Sequence, residues 1–169
     1  MGDIRKKHKK FSRPRRAFDI KRITEENEIS KRYGLKNKRE IWKAEWEIKK
    51  IRDNAKKLIT ANEEDKEAFI KRLQKKGLKV KTIGDVLSLN KEDWLGRRLQ
   101  TVLVDKNLAK SAKEARQLIV HKHVLVNDTK VNIPSYIVEA DEEDKIKVMR
   151  KFNQETKKQA EVKEVKDGN

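Results

Sequence analysis

Residues 109–127, AKSAKEARQLIVHKHVLVN, hold the transition that decides the fold. Ser111 followed by Glu114 is a capping-box spacing, so a helix starts at Ser111. Ala112, Ala115, Leu118 and Ile119 recur on one face of it, and the two alanines allow another backbone to approach closely. The face that fits this one is on the preceding segment, through Leu95, Leu99, Val102 and Leu103. Lys113, Arg116, Gln117 and Val120 form the opposite, mostly polar stripe, with Arg97, Arg98 and Thr101 matching it on the earlier helix. At residue 121 the period changes from helical to two. HVLVN alternates, Asn127-Asp128 is a tight-turn pair, and TKVNI returns as a second strand. PSYIVEADEEDKIKVM adds a further strand or two around an acidic turn at 139–144.

Upstream the chain reads as helical. Asn37 with Glu40 repeats the capping spacing, and Ile41, Ala44, Ile48, Ile51, Ala55, Leu58 and Ile59 form one apolar stripe. Trp42 and Trp46, four apart, share a face and read as packing residues rather than base-stacking ones. A second helix starts near Asn62, buries Phe69, Ile70 and Leu73, and stops at Gly77. Thr82 with Asp85 caps a short helix, and Asn90 with Asp93 starts another, read as continuous through KEDWLGRRLQTVLVDKN. The fold class is therefore α+β: a basic N-terminal arm (1–22), a small basic helical domain (23–92), and a module of two helices on a short antiparallel sheet (93–149). A C-terminal tail without apolar periodicity (150–169) follows, and it reads as frayed.

The 169 residues carry 45 Lys plus Arg against 28 Asp plus Glu, a formal charge of +17. Such an excess points to a polyanionic partner. Residues 5–22 concentrate it, with ten Lys or Arg and one acidic residue; a block of this density does not fold alone and is read as ordering against phosphates. Arg13, Arg15 and Arg16 are its candidate contacts, with Phe11 and Phe18 available to stack or dock. The chain has no cysteine, which excludes disulfides and thiolate zinc sites and merely permits a reducing compartment. Its apolar runs are too short to span a bilayer, and the basic N-terminus lacks the apolar region of a secretory signal.

Arg97, Arg98, Lys110, Lys113, Arg116, Gln117, Lys122 and Lys130 are thus expected on one surface, with Ser111 and the helix N-terminal amides adding a phosphate site. Such a surface suits folded RNA, whose backbone and wide minor groove are read by shape. On this reading Arg98 and Arg116 are RNA contacts that can be removed without unfolding the chain. His121 and His123 would point the same way on a strand, but no third or fourth metal ligand accompanies them, so RNA contact or packing is their better use. No cofactor is implied.

RRLQTVLVDKNLAKSAKEARQLIVHKHVLVNDTKVNIPSYIV resembles the RNA-binding module of the family of small-subunit ribosomal protein number four. RPRRAF and YGLKNKREIWKAEWEIKKIRDNAKKLI extend the resemblance to the archaeal and eukaryotic branch, with archaeal 30S members the nearest in kind. The resemblance covers about residues 10–148. It implies a non-enzymatic structural constituent of the cytoplasmic small ribosomal subunit. Such a protein is a primary binder of 16S-type rRNA in the 5′ domain, nucleating assembly of the subunit body. With small-subunit protein number five it influences translational accuracy. The family's RNA-binding positions map onto Arg97, Arg98, Lys110, Ser111, Lys113, Arg116, Gln117, His121, Lys122 and His123. Bacterial relatives often carry a cysteine zinc knuckle that this chain lacks, and relatives often have Gly where this chain has Lys122. The main alternative is a ribosome assembly or pre-rRNA processing factor built on the same module. An RNA-modifying enzyme would need a catalytic domain for which no segment remains, and a membrane-surface helix would need an apolar face the basic block lacks.

Overall fold

A computed structural model of the chain describes residues 9–11 and 13–149. The expected tail, 150–169, lies outside the described residues, as does most of the segment before residue 13. Among the described residues seven α-helices precede a three-stranded antiparallel sheet: α1 (Ile20–Arg32), α2 (Lys38–Leu58), α3 (Glu63–Lys75), α4 (Ile83–Ser88), α5 (Lys91–Gly96), α6 (Leu99–Asp105), α7 (Ala112–Val120), β1 (Val124–Val126), β2 (Thr129–Lys130) and β3 (Ile146–Val148). Among the described residues no helix is long and apolar enough to cross a membrane.

The apolar stripe of α2 organises the helical part. Its first half, Ile41 and Ala44, packs with Ile29 of α1, Leu35 and Leu95 of α5. Its second half, Ile48, Ile51 and Ala55, packs with Phe69 and Leu73 of α3, Val86 of α4 and the connecting Leu78 and Val80. Trp94 sits against both clusters. A separate core is built from Leu99, Val102 and Leu103 of α6, Ala115 and Ile119 of α7, Val124 and Val126 of β1, Val138, and Ile146 of β3. The expected close approach through Ala115 is present: this residue is wholly buried at the α6–α7 seam.

Four helices end in the same way. After α1, Gly34 (φ +58°) donates its N–H to Lys31 O and Leu35 to Ser30 O. After α3, Gly77 (φ +75°) bonds Gln74 O and Leu78 bonds Leu73 O. Asn107 (φ +56°) and Leu108 close α6, and Lys122 (φ +61°) and His123 close α7, with the same pair of bonds. This is the Schellman closure, which needs a left-handed residue and therefore favours Gly or Asn. Lysine at the fourth position is strained, which gives a physical reason for glycine there. Lys122→Gly is expected to raise stability by about 1 kcal/mol, read as a higher urea midpoint with an unchanged slope.

The sheet order is β2-β1-β3. Asn127 and Asp128, both with positive φ, make a two-residue type I′ turn that pairs Val126 with Thr129. The second strand is shorter than TKVNI, and the acidic turn is a 3-10 helix, Ala140–Lys145, leading into β3.

Three local expectations are corrected. KEDWLGRRLQTVLVDKN is two helices, because Arg98 turns extended and its neighbours pair with the chain at 136–138: Leu99 N–H donates to Tyr136 O (2.8 Å) and Val138 N–H to Arg97 O (3.0 Å). These tertiary bonds outweigh a continuous helix across Gly96. Second, Asn37 caps α2 through the Arg39 amide (2.9 Å), and Glu40 does not close the box. Third, α1 runs across the expected boundary between arm and helical domain at residue 22.

Candidate nucleic-acid interface

The outer face of α7 is polar and open. Lys113, Gln117 and His121 follow one another at a spacing of four, with Lys110 and Ser111 before the helix and Lys122 after it; all six are exposed. Ser111 Oγ accepts the Glu114 amide (3.3 Å), while the Glu114 carboxylate accepts the Lys110 amide (2.8 Å). The helix start thus carries its own carboxylate, and the Ser111 hydroxyl proton is what it can offer a phosphate. Lys130 is exposed on β2. His121 and His123 lie with ring centroids 6.4 Å apart, His121 exposed and His123 half-buried. The left-handed Lys122 between them, rather than a shared strand, sets that placement.

Arg97 and Arg98 are not on this surface. Arg98 is 4% exposed and its guanidinium pairs with Glu40. Arg97 pairs with Glu143 (2.8 Å), donates to Val138 O (3.0 Å), and lies against Gly77. Arg116 stands between the two groups: three-quarters buried, it reaches Glu40 Oε1 at 3.3 Å while lining an open cleft of about 470 Å³. That cleft runs between α2, α5, α7 and the Pro134–Ile137 segment. Of the three arginines read as one RNA surface, Arg98 and Arg116 thus join the module to α2, while Arg97 ties the start of the module to its own 138–143 segment.

The joint rests on two residues that periodicity did not single out. Glu40 takes both Arg98 and Arg116. Burial alone would push its carboxyl up, but the two guanidiniums outweigh that and hold it below the usual glutamate range. Gln100, 1% exposed, donates Nε2 to the carbonyls of Tyr33 (3.0 Å), Gly34 (3.1 Å) and Ala112 (2.7 Å). A glutamine inside the apolar run LQTVLV was the available signal, since buried amides need partners. Tyr136 completes the module's far side: burial, and then its hydrogen bond to Glu142, push its phenol up to about 12.

In the arm, Arg13, Arg15 and Arg16 are exposed. Phe11 docks, its ring stacked 6.3 Å from Trp42, and Trp42 donates its indole N–H to Glu26 (2.9 Å). Trp42 is thus a packing residue, and Trp46, half-buried beneath Lys50, lies 5.5 Å from that ammonium.

Comparison with known proteins adds to this geometry. Residues 97–144 match the family described as the S4 domain, a match that begins at the helix break. The chain is 45% identical over 155 residues to small ribosomal subunit protein uS4 of Thermoplasma volcanium, covering 86% of this chain and 78% of that one. It is 44% identical over 154 residues to uS4 of Korarchaeum cryptofilum (88% and 93%), and 46% over 156 residues to uS4 of Methanococcus aeolicus (88% of each). Matches of this length take in both the helical part and the module, and the chain belongs to the uS4 family of small ribosomal subunit proteins.

Proposed function

We propose that this chain is a primary binder of 16S-type rRNA in the 5′ domain of the cytoplasmic small subunit. It nucleates assembly of the subunit body and, through contact with small-subunit protein number five, influences translational accuracy. The observation that carries the RNA contact is the exposed polar face with three lysines formed by Lys110, Ser111, Lys113, Gln117, His121 and Lys122 on and around one helix. Lys130 and the arm's Arg13, Arg15 and Arg16 add further exposed cations, and the half-buried His123 ring lies beside His121. Arg116 is shared between this face and the joint; Arg97 and Arg98 act through the fold. Anchoring is electrostatic, by release of counterions from the RNA, and specificity comes from the shape the rigid module presents.

The test is binding to a transcript of the 5′ domain, titrated with salt and challenged with bulk tRNA. Binding that survives the competitor supports a dedicated site, and binding the competitor abolishes leaves only a generic basic protein. Replacing Lys110 and Lys113 together by Ala is expected to weaken binding and lower the salt slope by about two, one per phosphate contact. Both residues are exposed, so the thermal midpoint stays as it was. An unchanged slope would move the RNA contact to another face. A resident role also requires the protein to remain on mature subunits, where a processing factor would have left.

A further inference from the structure

Phe18 is 91% exposed. Among the described residues every other Phe, Tyr and Trp side chain is buried or half-buried, including Phe11 of the same arm. The turn that carries Phe18 is nonetheless held firmly. Arg22 Nη2 donates to the carbonyls of Arg16 (2.9 Å) and Ala17 (3.1 Å), and its Nη1 reaches Glu26 Oε1 at 3.1 Å. Glu26 is itself 4% exposed and fixed by the Trp42 indole N–H, with Lys38 at 3.5 Å. The ring is therefore presented to solvent by a braced turn, not left on a loose end.

Its neighbours say what it faces. Arg13, Arg15, Arg16 and Lys21 are all exposed within five residues of it, with Asp19 the one acidic side chain among them. An exposed apolar ring whose chain neighbours are mostly exposed cations suits a strand with flat apolar bases and a phosphate backbone, and suits an apolar protein pocket poorly. We propose that Phe18 is a stacking platform for an unpaired base of the RNA, with the flanking arginines on the adjoining phosphates. The inference rests on the rRNA-binding reading above and adds a contact chemistry to it. Because the turn is braced before binding, little ordering cost is charged against the contact.

The test uses the full chain and the 5′-domain transcript. Phe18→Ala is expected to weaken binding about tenfold, as loss of one base–aromatic stack does. The salt slope should stay at the wild-type value, because no phosphate contact is removed. Phe18→Tyr should restore affinity and Phe18→Leu should not. Ultraviolet cross-linking should join the peptide containing residue 18 to a single nucleotide. Full rescue by Leu would mean apolar docking instead, and unchanged affinity in Phe18→Ala would remove the platform; either result overturns the inference while wild-type binding stands. Failure of the wild-type chain to bind the transcript would instead fell the rRNA reading itself.

Discussion

Arg98→Ala is expected to cost folding stability, not RNA contacts. The substitution leaves Glu40 four-fifths buried with only Arg116 to face it. Breaking one partner out of a buried pair costs about 3–5 kcal/mol, and the low end, about 3, applies because Arg116 remains. Urea unfolding of the free protein measures it. RNA affinity, corrected for the folded fraction, should stay within about twofold of wild type, since each 1.4 kcal/mol lost would be tenfold. A well-folded variant with weakened binding would return Arg98 to the RNA face. The pH dependence supplies a second reading. The Glu40 carboxyl titrates below its ordinary 4.5, so its contribution is complete above that pH and is lost as pH falls through the lower folded value. Wild-type stability should therefore fall on acidification into that range, and Arg98→Ala should show a smaller fall. A variant that replaces Glu40 and Arg98 together by Leu and Met should recover much of the stability at neutral pH and lose this acid-sensitive component.

Gly34→Ala should be as damaging, at about 3 kcal/mol. A left-handed alanine costs about 1–2 kcal/mol. A Cβ on Gly34 would also stand 2.8 Å from Gln100 Nε2 and 2.9 Å from Ala112 Cβ, so the added methyl overpacks the joint at about 1–3 kcal/mol more. The second cost arises because Gln100 has nowhere to withdraw: its amide serves three carbonyls from both sides of the joint. A double variant isolates the Gln100 share of this crowding. With Gln100 already Ala, Gly34→Ala should cost less, because the clash with Nε2 is gone while the one with Ala112 remains, and contacting residues are not additive. Equal costs in both backgrounds would mean that Gln100 contributes no crowding.

Much of this was legible locally. Thr82 with Asp85 and the Asn127-Asp128 turn depend only on residues within reach of one another, and they form as their spacing requires. The stripes on α2 and α7 were legible because burial of apolar area sets their period. The helix break at Arg97–Arg98 was not, since its cause is a backbone pairing with residues forty positions later. Neither was α1, whose inward positions include Glu26 as well as Ile29 while Ile20 lies in solvent, so its apolar period is diluted. The exposure of Lys110, Lys113 and Lys122 is legible from the period of α7 and its ends. The pairing of Arg98 and Arg116 with Glu40 is not legible, because a charge on a helix face looks the same in sequence whether it meets water or a distant glutamate.

The pairing of Glu40 with Arg116 spans 76 positions. A chain made at about 5–20 residues per second needs several seconds to cover that distance. Throughout that interval α1 and α2 can close on their own apolar contacts, while Glu40 and the carbonyls of Tyr33 and Gly34 wait in water for partners not yet synthesised. The module thus arrives at an acceptor already assembled, and vectorial synthesis places closure of the joint after the packing of α1 on α2.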